Sequence, residues 1–290
     1  MNKLAKRAWF ALALAGVLLL GMGVIVVRYF IDSPDWVTFQ NSPHVYTDGV
    51  MNSGKIVDRG GTVVLDATNG KSYADSASLR RSMLHLLGDR EGNITPFLLQ
   101  EYGSELVGFD RINGTYSTGK REGQMMLTVS ADVQRTALAA LDGRKGTVGV
   151  YNYKTGEILA MVSMPEYDPA GLGTDVADTA YLNRCLQGLY TPGSTFKIVT
   201  GSAILESNVA NRNTTVSCPG YFELGNHRFR CWKHSGHGRE NIINALRDSC
   251  DVYFYQLSSQ MGIDRLIKTA AKFGVGEKTG IDLTGEASGT

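Results

Sequence analysis

The pair in this chain best spaced for covalent chemistry is Ser194 and Lys197, within Pro192-Gly193-Ser194-Thr195-Phe196-Lys197. Residues i and i+3 share one face of a helix, so the lysine amine can reach the serine hydroxyl beside a helix N-terminus that stabilises developing negative charge. A serine attacks a carbonyl only when a neighbouring base takes its proton, and a lysine serves once desolvation or nearby charge tunes its amine. The same spacing also arises from a helix-capping serine and a solvated lysine; the Pro-Gly entry favours the catalytic arrangement. Ser249-Cys250-Asp251 forms a second polar cluster after a predicted helix ending near Asp248. Its serine can relay a proton between Lys197 and a leaving amine, and its aspartate can hold a substrate amide or orient Lys197. Either residue also suits a helix cap, so the triplet takes its meaning from the first pair.

The elements that position these residues begin with an anchor. Trp9 to Val27 carries no charge over 19 residues, about 28 Å of helix against a hydrocarbon core of about 30 Å. Lys3, Lys6 and Arg7 precede it and only Arg28 closely follows, which places residues 1–8 in the cytoplasm and the remainder outside, with an uncleaved single-pass anchor at 9–27. Residues 28–54, with Pro34, Pro43 and Gly49, read as a stalk. Strands are expected at Ile56–Arg59 and Thr62–Asp66 around Gly60-Gly61, and helices at Ser76–Leu87 and Asp132–Leu141, the latter capped by Ser130. Thr147–Tyr153 and Ile158–Ser163 form a hairpin opening a second domain, and Met164 to Pro169 is a loop because proline cannot continue a central strand. Helices follow at 195–206, 242–248, 252–261 and 264–273, so a sheet backed by helices is expected.

Lys plus Arg total 29 against Asp plus Glu 28, a balance that leaves no footprint for nucleic acid. With 43% apolar residues in 290, about two domains can each bury a core. The four cysteines show no Cys-x-x-Cys spacing. Cys218 and Cys231 flank a short loop on the oxidising side of the membrane, where a disulfide is the first expectation. A structural zinc site with help from His227, His234 or His237 is the second, and free thiols the third. Cys185 and Cys250 are expected to pack in the interior, and Cys250 has no evident base to make it a nucleophile.

Taken together these motifs resemble the class B penicillin-binding proteins, a family marked by S-x-x-K with a second serine box and a third K-T-G box. The likeness covers most of the chain beyond the anchor. Arg59-Gly60-Gly61-Thr62 is similar to the family's N-terminal motif and Gly156-Glu157-Ile158-Leu159-Ala160-Met161 to its domain-opening hairpin. Pro192 to Lys197 is similar to its nucleophile box, and Gly236-His237-Gly238 with Ser249-Cys250-Asp251 to the landmarks that follow. The resemblance implies an α+β protein with a β-rich pedestal domain at 55–145 and a partial transpeptidase domain at 146–290. It implies a peptidoglycan D,D-transpeptidase that uses no cofactor, cross-links stem peptides ending in D-Ala-D-Ala, is acylated by β-lactams, and works in the membrane with a cell-wall glycosyltransferase in an elongation or division complex. Ser194 would be the nucleophile, Lys197 the general base, and Ser249 with Asp251 the second box, Asp251 standing where many members have Asn. Lys278-Thr279-Gly280 is not read as the third box, because Ile281-Asp282-Leu283 follows it where the family has Thr or Ser. The third box is expected beyond Thr290, which makes the chain a fragment with weakened acylation. Other readings of the same motifs are a class D-like serine β-lactamase, a β-lactam sensor, or a non-catalytic cell-wall scaffold.

Overall fold

The computed structural model describes residues 3–37, 46–47, 50–51, 54–68, 70–95, 97–110, 112, 115–116, 123–171 and 176–289. These divide into two compact units, residues 1–188 with 283–285 and residues 189–282 with 286–290.

The first unit opens with α1 (Lys3–Val37). Its stretch Ala5–Ser33 is long and apolar enough to cross a membrane, and none of it is buried against protein. The helix therefore runs ten residues past the expected span and takes up the start of the expected stalk. Phe30 and Ile31 continue its apolar course, and Arg28 pairs with Asp32 one turn later at 3.5 Å. Residues 38–45, 48–49 and 52–53 of the expected stalk lie outside the described residues. Within the expected stalk lies the short pair β1 (Tyr46–Thr47) and β2 (Val50–Met51), and after it come β3 (Lys55–Val57), β4 (Val63–Asp66) and β5 (Ser72–Tyr73). Helices α2 (Ala77–Ser82), α3 (Leu84–Leu87) and α4 (Phe97–Val107) follow, then the pair β6 (Phe109–Asp110) and β7 (Thr115–Tyr116), and β8 (Gln124–Met126). One sheet has the order β5-β4-β3-β8, with β3 antiparallel to β4 and parallel to β8. Ile56, Val64 and Leu65 from this sheet are fully buried.

Helix α5 (Ala131–Leu141) packs on the antiparallel hairpin of β9 (Gly146–Tyr151) and β10 (Ile158–Met164), with α6 (Arg184–Gln187) completing the unit. Val133, Ala137 and Leu141 of α5 meet Val148, Val150, Ala160 and Val162, so the helical period and the strand alternation close one apolar layer. The hairpin, expected to open a second domain, belongs to the same compact unit as the residues before it, because its buried face has α5 as partner. Buried Gln134 holds the register: its Oε1 accepts from Met161 N at 2.7 Å and its Nε2 donates to Ser82 O at 3.1 Å. Ser130 occupies the N-cap of α5, yet its side chain makes no capping bond. Asp58, just after β3, caps the helix from a distance by accepting from Ala131 N at 2.9 Å. Cys185, expected in the interior, is half-buried against the hairpin, its Sγ 2.8 Å from Thr147 Oγ1.

The second unit begins with a 3-10 turn at Gly193–Phe196 that runs into α7 (Lys197–Glu206). Strands β11 (Val216–Cys218) and β14 (Gly238–Glu240) pair, enclosing the hairpin of β12 (Tyr221–Leu224) and β13 (His227–Arg230). Three helices follow: α8 (Ile242–Arg247), α9 (Asp251–Met261) and α10 (Ile263–Lys272). Ile204 of α7, Val216 of β11, Ala245 of α8 and Tyr253 and Leu257 of α9 form the buried core. Helix α9 lies at the centre of this core, which fixes its first turn against the start of α7.

Candidate active site

Gly193 has φ +57, and its freedom from a Cβ lets the chain enter the turn that presents Ser194. Ser194 is exposed at the head of α7, and Lys197 is the first residue of the regular helix. The Lys197 Nζ donates toward Ser194 Oγ at 3.3 Å, Ser249 Oγ at 2.9 Å, Ser249 O at 2.9 Å and Asp251 Oδ1 at 2.6 Å. Ser249 Oγ donates to Ser194 Oγ at 3.0 Å. All four residues expected from the sequence thus meet at one amine. Four acceptors surround a group with three N–H bonds, so the amine has a choice of partners. Lys197 keeps 12% of its side-chain exposure and Asp251 21%, an ion pair largely screened from water. The Nζ also lies 5.7 Å from the centroid of the Phe254 ring.

Asp251, in place of the Asn common in the resembling family, gives the lysine a full counter-charge. Its second oxygen accepts from Trp232 N at 3.0 Å. Ser249 has φ +53, a left-handed conformation that costs a non-glycine residue about 1–2 kcal/mol. The strain turns the chain sharply between α8 and α9 and brings the Ser249 carbonyl and hydroxyl onto the same amine. Lys278-Thr279-Gly280 forms no strand, and Thr279 N and Oγ1 donate instead to Glu286 at 2.8 and 2.6 Å.

Between Ser249 and Asp251, Cys250 turns into the core. Its Sγ, those of Cys218 and Cys231, and a ring nitrogen of His237 all lie within 4.8 Å of one another. His237 Nδ1 is 3.6 Å from Cys218 Sγ and 3.5 Å from Cys231 Sγ. The expected disulfide between Cys218 and Cys231 is not formed; both thiols are free. Cys250 is part of this cluster as well as of the core, whereas His227 and His234 do not belong to it. Gly220 and Gly236 make the arrangement possible. A Cβ on Gly220 would sit 2.1 Å from His234 O, and one on Gly236 2.3 Å from Cys218 O. Burial, reinforced by the neighbouring thiols, pushes the Cys250 thiol up to about 12. A bound cation would reverse that tendency by taking the thiolates as ligands. Three thiols and one imidazole, buried and mutually close, fit a tetrahedral structural zinc site. Such an ion would fix Cys250, and with it the backbone of both flanking polar residues, without entering the reaction.

Residues 146–290 match the family described as "Penicillin binding protein transpeptidase domain". The chain belongs to this family, as a class B penicillin-binding protein. The peptidoglycan D,D-transpeptidase MrdA of Acinetobacter baumannii is 39% identical over 182 residues, covering 58% of this chain and 27% of that protein. The crystal structure of Pseudomonas aeruginosa PBP2 in complex with WCK 5153 superposes with a TM-score of 0.66 at 31% identity, covering 82% of this chain and 58% of that one. A complex between PBP2 and MreC from Helicobacter pylori matches at 34% identity and TM-score 0.55, over 60% of this chain and 35% of that one. The chain spans about a quarter of the length of the curated A. baumannii relative. These relatives do not favour the readings as a serine β-lactamase, a sensor or a scaffold.

Two contributors were missed in the sequence. Cys250 was assigned to packing alone, although it also joins Cys218, Cys231 and His237 in one cluster. Trp232 carried no signal, because its contribution to Asp251 comes from the main chain.

Proposed function

We propose that this chain carries the acyl-transfer half of a peptidoglycan D,D-transpeptidase. The observation behind the reading is the convergence of Ser194, Ser249 and Asp251 on the Lys197 amine. Ser194 Oγ attacks the carbonyl between the two terminal residues of a D-Ala-D-Ala stem peptide while the neutral Lys197 amine takes its proton, directly or through the Ser249 hydroxyl. The proton passes back by the same route to the departing D-Ala nitrogen as the C–N bond breaks, leaving an ester on Ser194. An amine from a second stem peptide then attacks the ester and gives its proton to Lys197, which passes it to Ser194 Oγ as the C–O bond breaks, so that the serine is regenerated. Asp251 stabilises Lys197 whenever it is charged, and the Ser194 N–H at the head of α7 is placed to meet the oxyanion. A β-lactam carbonyl enters the same path at its first step.

The apolar stretch of α1 supports a single-pass anchor with the catalytic part outside the membrane. The H. pylori PBP2 solved with MreC supports an elongation-type complex as the working assembly. A pedestal at 55–145 and a transpeptidase domain from 146 remain the proposed functional division, the matched family beginning at residue 146. In the full-length protein, a diacylated peptide ending in D-Ala-D-Ala should release one D-Ala per acyl-enzyme formed, and Ser194→Ala should release none. Equal release by that variant would end the proposal.

A further inference from the structure

We infer that Trp232 is a positioning residue for the proposed reaction, acting through both of its N–H groups on the turn that holds the second serine box. The inference rests on the reading of Lys197 and Asp251 given above. Trp232 is a large aromatic left 62% exposed, so burial of its ring is not its main contribution. Its main-chain N–H donates to Asp251 Oδ2 at 3.0 Å, and its indole Nε1 donates to Asp248 O at 3.0 Å. The two contacts bracket Ser249, the residue held at φ +53. With Oδ2 engaged by Trp232, Oδ1 is left facing Lys197 Nζ at 2.6 Å. A carboxylate held by one donor can rotate; one held at both oxygens keeps its orientation.

Trp232 is itself fixed from two directions. It follows Cys231, whose thiol lies in the buried cluster, and its ring meets that of His237 edge-on with centroids 5.5 Å apart. Beside the direct covalent link through Cys250, the chain Cys231–Trp232–Asp251–Lys197 therefore gives the buried cluster a second route to the exposed nucleophile, in which the main-chain N–H of Trp232 makes the step to Asp251. Trp232 does not touch the reacting atoms, and its contribution is the orientation of a charge that does.

The test separates orientation from folding and from the function itself. In the full-length protein, Trp232→Pro removes the main-chain donor and Trp232→Phe removes only the indole donor. Penicillin acylation should slow by about tenfold to a hundredfold in the first and a few-fold in the second, with the non-covalent binding constant for penicillin unchanged. On an Asp251→Ala background, Trp232→Pro should slow acylation only by the few-fold seen for Trp232→Phe, since the target of the main-chain donor is gone while that of the indole remains. Persistence of the full tenfold to hundredfold loss on that background, or normal acylation by a folded Trp232→Pro protein, would overturn the inference. Should Trp232→Pro fail to fold, the amide proton of Trp232 in NMR spectra of the wild type and Asp251→Ala decides the matter. An upfield move supports the bond and an unmoved resonance refutes it. A wild type that penicillin does not acylate at all would instead defeat the proposed function, leaving the amide measurement to judge the positioning contact by itself.

Discussion

Asp58 in the first unit and Asp251 in the second are both carboxylates with engaged oxygens, and their donors differ in kind. Asp58 accepts from neutral donors: the main-chain N–H groups of Gly60 at 2.9 Å, Thr62 at 2.8 Å and Ala131 at 2.9 Å, and the Thr62 side chain. It shapes a turn and caps a distant helix. Asp251 accepts from one main-chain N–H and from the amine of Lys197. That amine also reaches the nucleophile, so the carboxylate works on a group that gains and loses protons. A carboxylate held by donors that keep their protons is architecture, whereas one shared between an amide and a mobile proton carrier belongs to the chemistry.

The contrast is sharpest where chemistry is removed without architecture. Lys197→Ala should slow penicillin acylation by about 10²–10⁴-fold, with the melting temperature little changed, as stopped-flow labelling and calorimetry would show. Collapse of the fold in this variant would erase the distinction.

Cys250→Ser tests whether the second unit keeps its architecture in the thiol cluster. The variant should hold no zinc, where the wild type should hold one ion per chain by elemental analysis. It should also melt well below the wild type, because binding of a structural zinc contributes directly to folding free energy. Acylation should fall with it, since Ser249 and Asp251 flank the ligand.

Asp58→Asn should lower stability by about 1–3 kcal/mol while leaving acylation per folded molecule unchanged. Burial acts to raise the Asp58 carboxyl, but hydrogen bonds from three main-chain N–H groups and the Thr62 side chain together outweigh it and hold the group below the usual carboxylate range. A depressed folded value means that its stabilisation is present above the ordinary carboxylate pKa and is lost as pH falls through the folded value. The gap in melting temperature between wild type and Asp58→Asn should therefore be widest at neutral pH and narrow below about pH 4. The smallest effect is expected at the exposed pair of Lys272 and Glu206, 2.9 Å apart. Lys272→Ala should leave both the melting temperature and acylation within experimental error.

The two units were not equally legible in the sequence. Ser194 and Lys197 stood out because i, i+3 spacing on a helix is local, and α7 kept them together. The α5 face and the β9-β10 hairpin were visible as periodicity for the same reason. Asp58 as a cap of α5 was hidden by its separation of 73 positions from Ala131, and the nearer Ser130 was preferred on local grounds. Cys250 packs in the core as expected, but its place in the thiol cluster was hidden, because Cys218 of β11, Cys231 just after β13 and His237 just before β14 are brought to it only by the fold. The end of α1 was placed early because a hydrocarbon span explains where apolarity stops, but helical hydrogen bonding continues past Arg28.

The most direct test of the central claim is the site of penicillin attachment in the full-length protein, read by intact-protein mass spectrometry and peptide mapping. One penicilloyl group should appear on the peptide carrying Ser194, and none on Ser194→Ala. A stable adduct mapped to Ser249, Cys250 or any residue other than Ser194 would contradict it.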